Sequence, residues 1–124
     1  MAMRTFDVEA LGAGDLAALS GELLPDERIE AGYRGERATI LFTNLRIVTV
    51  QLQVVIAERI ETTSFSYRAV RSFSSNRGVA GEGRSEFRIA IEGEPHPLHL
   101  RASGSANAGA DFLPLQALLA ARMR

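Results

Sequence analysis

The sequence predicts a mainly β domain: a seven-stranded barrel or sandwich capped by a C-terminal α-helix, with a short N-terminal helix ahead of the first strand. Three observations point that way. Short stretches of period-two alternation recur from Arg28 to Arg101, and turn residues punctuate them about every 8–12 positions, the spacing of sandwiches and barrels. Phe112, Leu115, Leu118 and Leu119 form an apolar stripe near the end of the chain, and a helix carrying such a stripe must bury it against something. A curled sheet leaves one end open, and this helix is suited to fill it.

Taken in order, residues 1–12 show no firm pattern. Asp15 can cap a helix through Leu16, Leu19 and Leu23, which Pro25 ends. Ile29, Ala31 and Tyr33 then alternate with Arg28, Glu30 and Arg34 as a strand. Gly35-Glu36 reads as the hairpin turn into a second strand, Arg37–Phe42. After a polar corner at Thr43-Asn44 come two strand-like segments, Arg46–Gln53 and Val54–Glu61. Ser64–Arg77 reads as two strand fragments either side of Arg68-Ala69-Val70, and Gly78–Gly83 is the clearest loop.

Phe87, Ile89 and Ile91 alternate with charged and small residues, marking a half-buried antiparallel strand. A turn at Glu92-Gly93-Glu94-Pro95 leads to a last strand holding Leu98 and Leu100. The closing helix can be capped by Asp111, and Pro114 is tolerated in its first turn, where backbone N–H groups have no intrahelical partner. The expected core is Ile40, Phe42, Ile47, Phe73, Phe87, Ile89, Ile91, Phe112, Leu115 and Leu119.

Composition narrows the function. A chain of 124 residues fits one domain, spanning 1–124 with its core at about 15–122. The absence of cysteine excludes disulfides, thiolate zinc sites and cysteine nucleophiles. A net charge of −1 gives none of the basic excess of a nucleic-acid domain. Apolar runs such as Val54-Val55-Ile56-Ala57 fall far short of the ~20 residues of a membrane span, so no integral membrane association is expected. No basic-plus-apolar leader opens the chain, and the expected location is the cytoplasm.

Arg37, Phe42-Thr43-Asn44, a one-residue gap and Arg46 form a recognisable run, followed at matching distance by Ser64, Tyr67, Val70 and Phe73-Ser74. In these residues the chain resembles the bacterial pleckstrin-homology-like family over roughly residues 16–122, without gaps from Arg37 to Phe73. It departs from the family pattern at Ala38, usually acidic, at Leu45, usually basic, and at Gln51-Leu52-Gln53-Val54, where a corner rich in Asp and Gly is usual. The resemblance implies a seven-stranded barrel capped by a C-terminal helix, homo-oligomeric assembly often in rings, and no settled biochemical activity.

Arg46 has two roles open to it. It can pair across the sheet with a carboxylate such as Glu61 or Glu58, or it can anchor an anionic ligand or partner subunit. Arg34 and Arg37, in the first hairpin, are with Arg46 the candidate ligand-binding residues, and an anionic lipid or phosphate headgroup is the corresponding ligand. Two arginines with Glu36 between them are few for a headgroup of several charges. His96 and His99 fall on opposite faces of a regular strand and cannot converge on a metal. No nucleophile elbow or phosphate-binding loop appears, so no catalytic, cofactor or metal residue is assigned.

A non-enzymatic binding or assembly module remains. Its expected partners are copies of itself, in a ring, and a protein segment added at a sheet edge. Leu52, Val54 and Ile56 are the expected interface, because an uncharged, β-branched edge is one a monomer would blunt.

Overall fold

The computed structural model describes residues 4–11, 19, 21, 23–36, 38–54, 58–76, 85–102 and 112–123. Its strands are β1 (Arg4–Ala10), β2 (Ile29–Arg34), β3 (Ala38–Thr43), β4 (Ile47–Val54), β5 (Glu58–Phe65), β6 (Val70–Asn76), β7 (Glu86–Ile91) and β8 (Leu98–Ala102). A 3-10 turn, Tyr67–Ala69, joins β5 to β6, and helix α1 spans Leu113–Arg122. The described residues thus hold eight strands where seven were expected. The extra one is β1, in the segment that showed no firm pattern. Its Phe6 and Val8 do alternate with Asp7 and Glu9, but two apolar residues are too few to mark a strand by themselves. Val8 is fully buried, so the core starts before residue 15. No N-terminal helix occurs among the described residues, and most of the segment expected to form it, residues 15–18, 20 and 22, lies outside them.

The strands form one sheet in the order β5-β4-β3-β2-β1-β8-β7-β6. Two antiparallel meanders, β2–β5 and β6–β8, are joined by β1, which runs parallel to β8 from Arg4↔Leu98 to Val8↔Ala102. Its far end pairs with β2 at Glu9↔Arg34 and Ala10↔Tyr33. The sheet curls into a half-barrel, and α1 packs its apolar stripe onto the core. Phe112, at the head of α1, lies 5.2 Å from the Tyr33 ring and 5.8 Å from Phe87, linking the two meanders through one aromatic side chain. Leu115 and Leu119 are fully buried beside it, at the spacing of one helix face.

Nine of the ten expected core residues are buried, and Phe73 is half-buried, its ring stacked on Phe87 at 5.5 Å. The cap of α1 differs from expectation. Phe112 holds the N-cap position without a side-chain hydrogen bond, and Asp111 lies outside the described residues. Burial of the ring fixes this end of the helix instead.

β3 is buried on both faces. Ile40 and Phe42 join the main core, whereas Leu41 between them is fully buried outside that cluster. Leu41 stands opposite both Val48 and Gly32. A Cβ at Gly32 would come within 2.4 Å of Leu11 Cδ1, so the missing side chain is what lets Leu11 lie against this outer layer. The turn after β7 forms where expected, with Glu94 N–H donating to Ile91 C=O at 3.0 Å and Gly93 at φ +88°, the positive φ of a type II turn.

Candidate functional site

The residues that carried the family resemblance converge on one knot. β3 and β4 are joined by a tight turn in which Thr43 N–H donates to the Arg46 carbonyl at 3.0 Å. The Thr43 hydroxyl accepts the N–H groups of Leu45 and Arg46, both at 3.0 Å, and donates to Glu27 Oε2 at 2.6 Å. Asn44 ties the turn to the segment before β2: its Oδ1 accepts from Arg28 N–H at 2.6 Å, and its amide donates to the Asp26 carbonyl at 3.2 Å. Tyr67 reaches in from the 3-10 turn and donates its phenol hydrogen to the Thr43 carbonyl at 2.6 Å.

Arg46 and Glu27 lie at the centre. The guanidinium donates through Nε to Oε2 at 2.8 Å and through NH2 to Oε1 at 2.9 Å, while NH1 donates to Ser64 Oγ at 2.6 Å. The planar fork of arginine matches a carboxylate in this two-bond geometry. Leu24 N–H supplies a further hydrogen bond to Glu27 Oε1 at 3.0 Å. The Glu27 side chain is wholly shielded from solvent, and that of Arg46 is 20% exposed. Hydrogen bonds from Arg46 outweigh the cost of burial and, with Thr43 and Leu24, hold the Glu27 carboxyl down at about 2. The same carboxylate raises the pKa of Arg46. A carboxylate held so far below neutral makes a poor general base.

Arg46 therefore does pair with a carboxylate, but with Glu27 rather than Glu61 or Glu58. Both expected partners lie on β5, the neighbour of β4 in the sheet. The actual partner comes from the loop before β2, brought alongside by the Asn44 bonds, and no periodicity marks a loop residue. Burial raises the Tyr67 phenol well above its ordinary value, with Arg122 opposing; that guanidinium sits 5.7 Å from the ring centroid.

Of the candidate ligand residues, Arg34 and Arg46 are not brought together. Arg34 ends β2 and Arg46 precedes β4, so they stand at opposite ends of the β2–β3–β4 ladder, about 17 Å apart along β2. Arg34 donates to Glu9 Oε1 at 2.8 Å, a partner supplied by the strand the sequence had not revealed. Arg37 lies outside the described residues.

Two of the expected interface residues lie on β4. Leu52 and Val54 belong to β4, opposite Ile60 and Glu58 of β5, so Gln51–Val54 is strand rather than corner. β4 is flanked by β3 and β5, and the sheet edge is β5. Ile56 lies outside the described residues. The exposed apolar residue on the edge strand is Ile60, 68% accessible, and the charged Arg59 and Glu61 that flank it leave no apolar run in the sequence to mark it.

His96 lies in the turn before β8 rather than on it. His99 Nε2 meets Glu86 Oε1 at 2.6 Å across β7 and β8. Among the described residues no group of three or more His, Asp and Glu could hold a metal, and no buried side-chain polar atom lacks a hydrogen-bond partner. No helix among them is long and apolar enough to cross a membrane.

The family model described as "Bacterial PH domain" matches residues 4–122. The uncharacterized protein YjqA of Bacillus subtilis (strain 168) is 31% identical over 75 residues, which span 60% of this chain and 60% of that relative's length. In crystal structures, a DUF1696-family protein with a pleckstrin-homology domain from Shewanella loihica PV-4 superposes with a TM-score of 0.71 at 22% identity, covering 96% of this chain and 99% of that one. A pleckstrin-homology domain from Shewanella amazonensis SB2B gives a TM-score of 0.64 at 22% identity, covering 90% and 96%.

Proposed function

The chain belongs to the bacterial PH domain family, and from that premise we propose that it is a non-enzymatic binding and assembly module that associates with copies of itself, as a cytoplasmic ring. The observation that carries this is Ile60. It stands on the edge strand β5 with 68% of its surface in water, directly opposite Leu52 in the β4–β5 hairpin. A large aliphatic side chain exposed on an edge strand favours contact with a second surface. If the surface it meets on the next copy is a different one, successive contacts close into a ring when the rotation permits.

The central polar network supports a structural rather than catalytic role for its members. Glu27, Thr43, Arg46 and Tyr67 bond to one another and to backbone, and Glu27 stays ionised at neutral pH. Light scattering coupled to size exclusion at tens of micromolar tests the proposal. The wild-type chain should run as an oligomer, and Ile60→Glu or Val54→Arg should shift it toward monomer. A wild-type monomer would refute assembly, whereas an oligomer unmoved by both substitutions would refute this hairpin as its interface.

A further inference from the structure

β1 fills a slot between β8 and β2, and its two faces are recognised differently. Phe6 packs against the core and Val8 is fully buried, while Asp7 and Glu9 are exposed. Each exposed acid meets a base from one wall of the slot. Asp7 accepts two hydrogen bonds from Arg101 of β8, at 2.9 and 3.1 Å, and Glu9 accepts one from Arg34 of β2 at 2.8 Å. The slot thus fits an extended segment in which apolar residues alternate with acids. Phe6-Asp7-Val8-Glu9 is the only stretch of the sequence with two such alternations in succession.

The hold on this segment is light. Its ladder with β8 is parallel, the less stable pairing per residue. With β2 it shares the register pairs Glu9↔Arg34 and Ala10↔Tyr33. Both ion pairs are about half exposed, and pairs in water add little stability. Among the described side chains of β1, Val8 alone is fully buried. Gly35 lets the strand in, since a Cβ there would stand 2.8 Å from the Asp7 carbonyl oxygen. The seated segment ends at Leu11, whose N–H donates to the Gly32 carbonyl at 3.0 Å.

We propose that β1 is an exchanged strand: in the assembled protein, Arg4–Leu11 of one copy occupies the slot between β8 and β2 of the next. The inference rests on the self-association proposed above, though not on the Ile60 contact. Exchange keeps every register pair and both ion pairs, because the same segment fills the same slot, which makes it a low-cost route to association. A donated strand meets a slot rather than its own like, so the contact runs head to tail, the kind that closes rings. Leu11 and Leu23 are 12 residues apart in sequence, a reach of about 40 Å when extended. A domain of this length is roughly 35 Å across, so the reach extends to a neighbour. Inside an assembly that neighbour's β1 stands at an effective concentration of about a millimolar. It competes with a strand of the same chain that must close a ladder across 94 residues.

The chain has no cysteine, so a pair of introduced thiols reports which copy supplies the strand. Asp7 and Arg101 are register partners. The variant Asp7→Cys with Arg101→Cys is oxidised at tens of micromolar and run on a denaturing gel without reductant. A strand seated in its own chain leaves single chains, whereas an exchanged strand links chains into dimers and longer forms. Linked chains should exceed those from Asp7→Cys or Arg101→Cys alone at least fivefold. Co-expressing the two single variants, one carrying a larger tag, should give the linked heterodimer. Asp7→Cys with Arg88→Cys, which is not its register partner, should not. Adding Gly35→Ala to the Arg101→Cys chain should lower the heterodimer at least threefold, with thermal melts showing that the variant is folded.

Single chains only, in a sample that light scattering shows to be assembled, would overturn the exchange and leave self-association standing. A wild-type monomer overturns both. Linked chains that form equally with Arg88→Cys, or that Gly35→Ala leaves unchanged, overturn the exchange as well.

Discussion

Arg46 and Glu27 are joined by two parallel hydrogen bonds of 2.8 and 2.9 Å, across 19 residues of sequence and beneath the turn that begins β4. Three neighbours bond directly to one or other of the pair. Thr43 and Leu24 bond the carboxylate, and Ser64 bonds the guanidinium.

Removing the carboxylate charge should therefore destabilise the fold. Glu27→Gln leaves Arg46 next to a neutral amide that can satisfy only part of its fork. Breaking a buried pair by neutralising one partner costs about 3–5 kcal/mol, and the 20% exposure of Arg46 puts this pair toward the lower end. Urea titration of wild type and variant measures the difference. A change under about 0.5 kcal/mol would show that the pair contributes little.

Acid should produce the same loss reversibly. The folded pKa of Glu27, about 2, lies below its unfolded value near 4.5. Its contribution is thus fully present above pH 4.5 and fades as pH falls toward 2. Linkage puts the amount at about 3 kcal/mol. Stability measured from pH 6 to pH 2 should fall across that window, and Glu27→Gln should flatten this part of the profile.

Phe112→Ala should cost about 3–5 kcal/mol, the range for truncating a buried phenylalanine. The ring contacts Tyr33 from one meander and Phe87 from the other, so its loss opens a cavity that neither side can close alone. The exposed neighbour Leu113 serves as control, since Leu113→Ala should change stability by under about 0.5 kcal/mol.

Liposomes carrying phosphoinositide headgroups should not sediment this protein at physiological salt. Glu9 engages Arg34, Glu27 engages Arg46, and the two arginines sit at opposite ends of the ladder. Micromolar binding lost on Arg34→Glu would restore the first hairpin as a headgroup site.

Much of the fold was legible because alternation reports burial directly. The Phe87, Ile89, Ile91 series and the α1 stripe fall where the pattern put them. β1 was hidden because two of its apolar positions are all that mark it. Leu41 was hidden for the opposite reason: both faces of β3 are covered, and alternation disappears from a strand with no wet side. The site was half legible. Thr43, Asn44, Arg46, Ser64 and Tyr67 stand out as a spaced pattern, but the carboxylate they surround does not. Glu27 sits in a loop, where nothing in the sequence separates a buried acid from a solvated one.

The parallel ladder between β1 and β8 has a consequence for how the chain reaches this structure. Asp7 and Arg101, paired across that ladder, are 94 residues apart. Each meander can assemble from neighbouring hairpins, at the modest entropic cost of short loops. The strand that unites them cannot. During synthesis β1 emerges before the other strands and, though β2 soon follows, waits for β8 until the second meander is made. Closing this ladder should set the folding rate, with the two halves formed early and waiting to be joined.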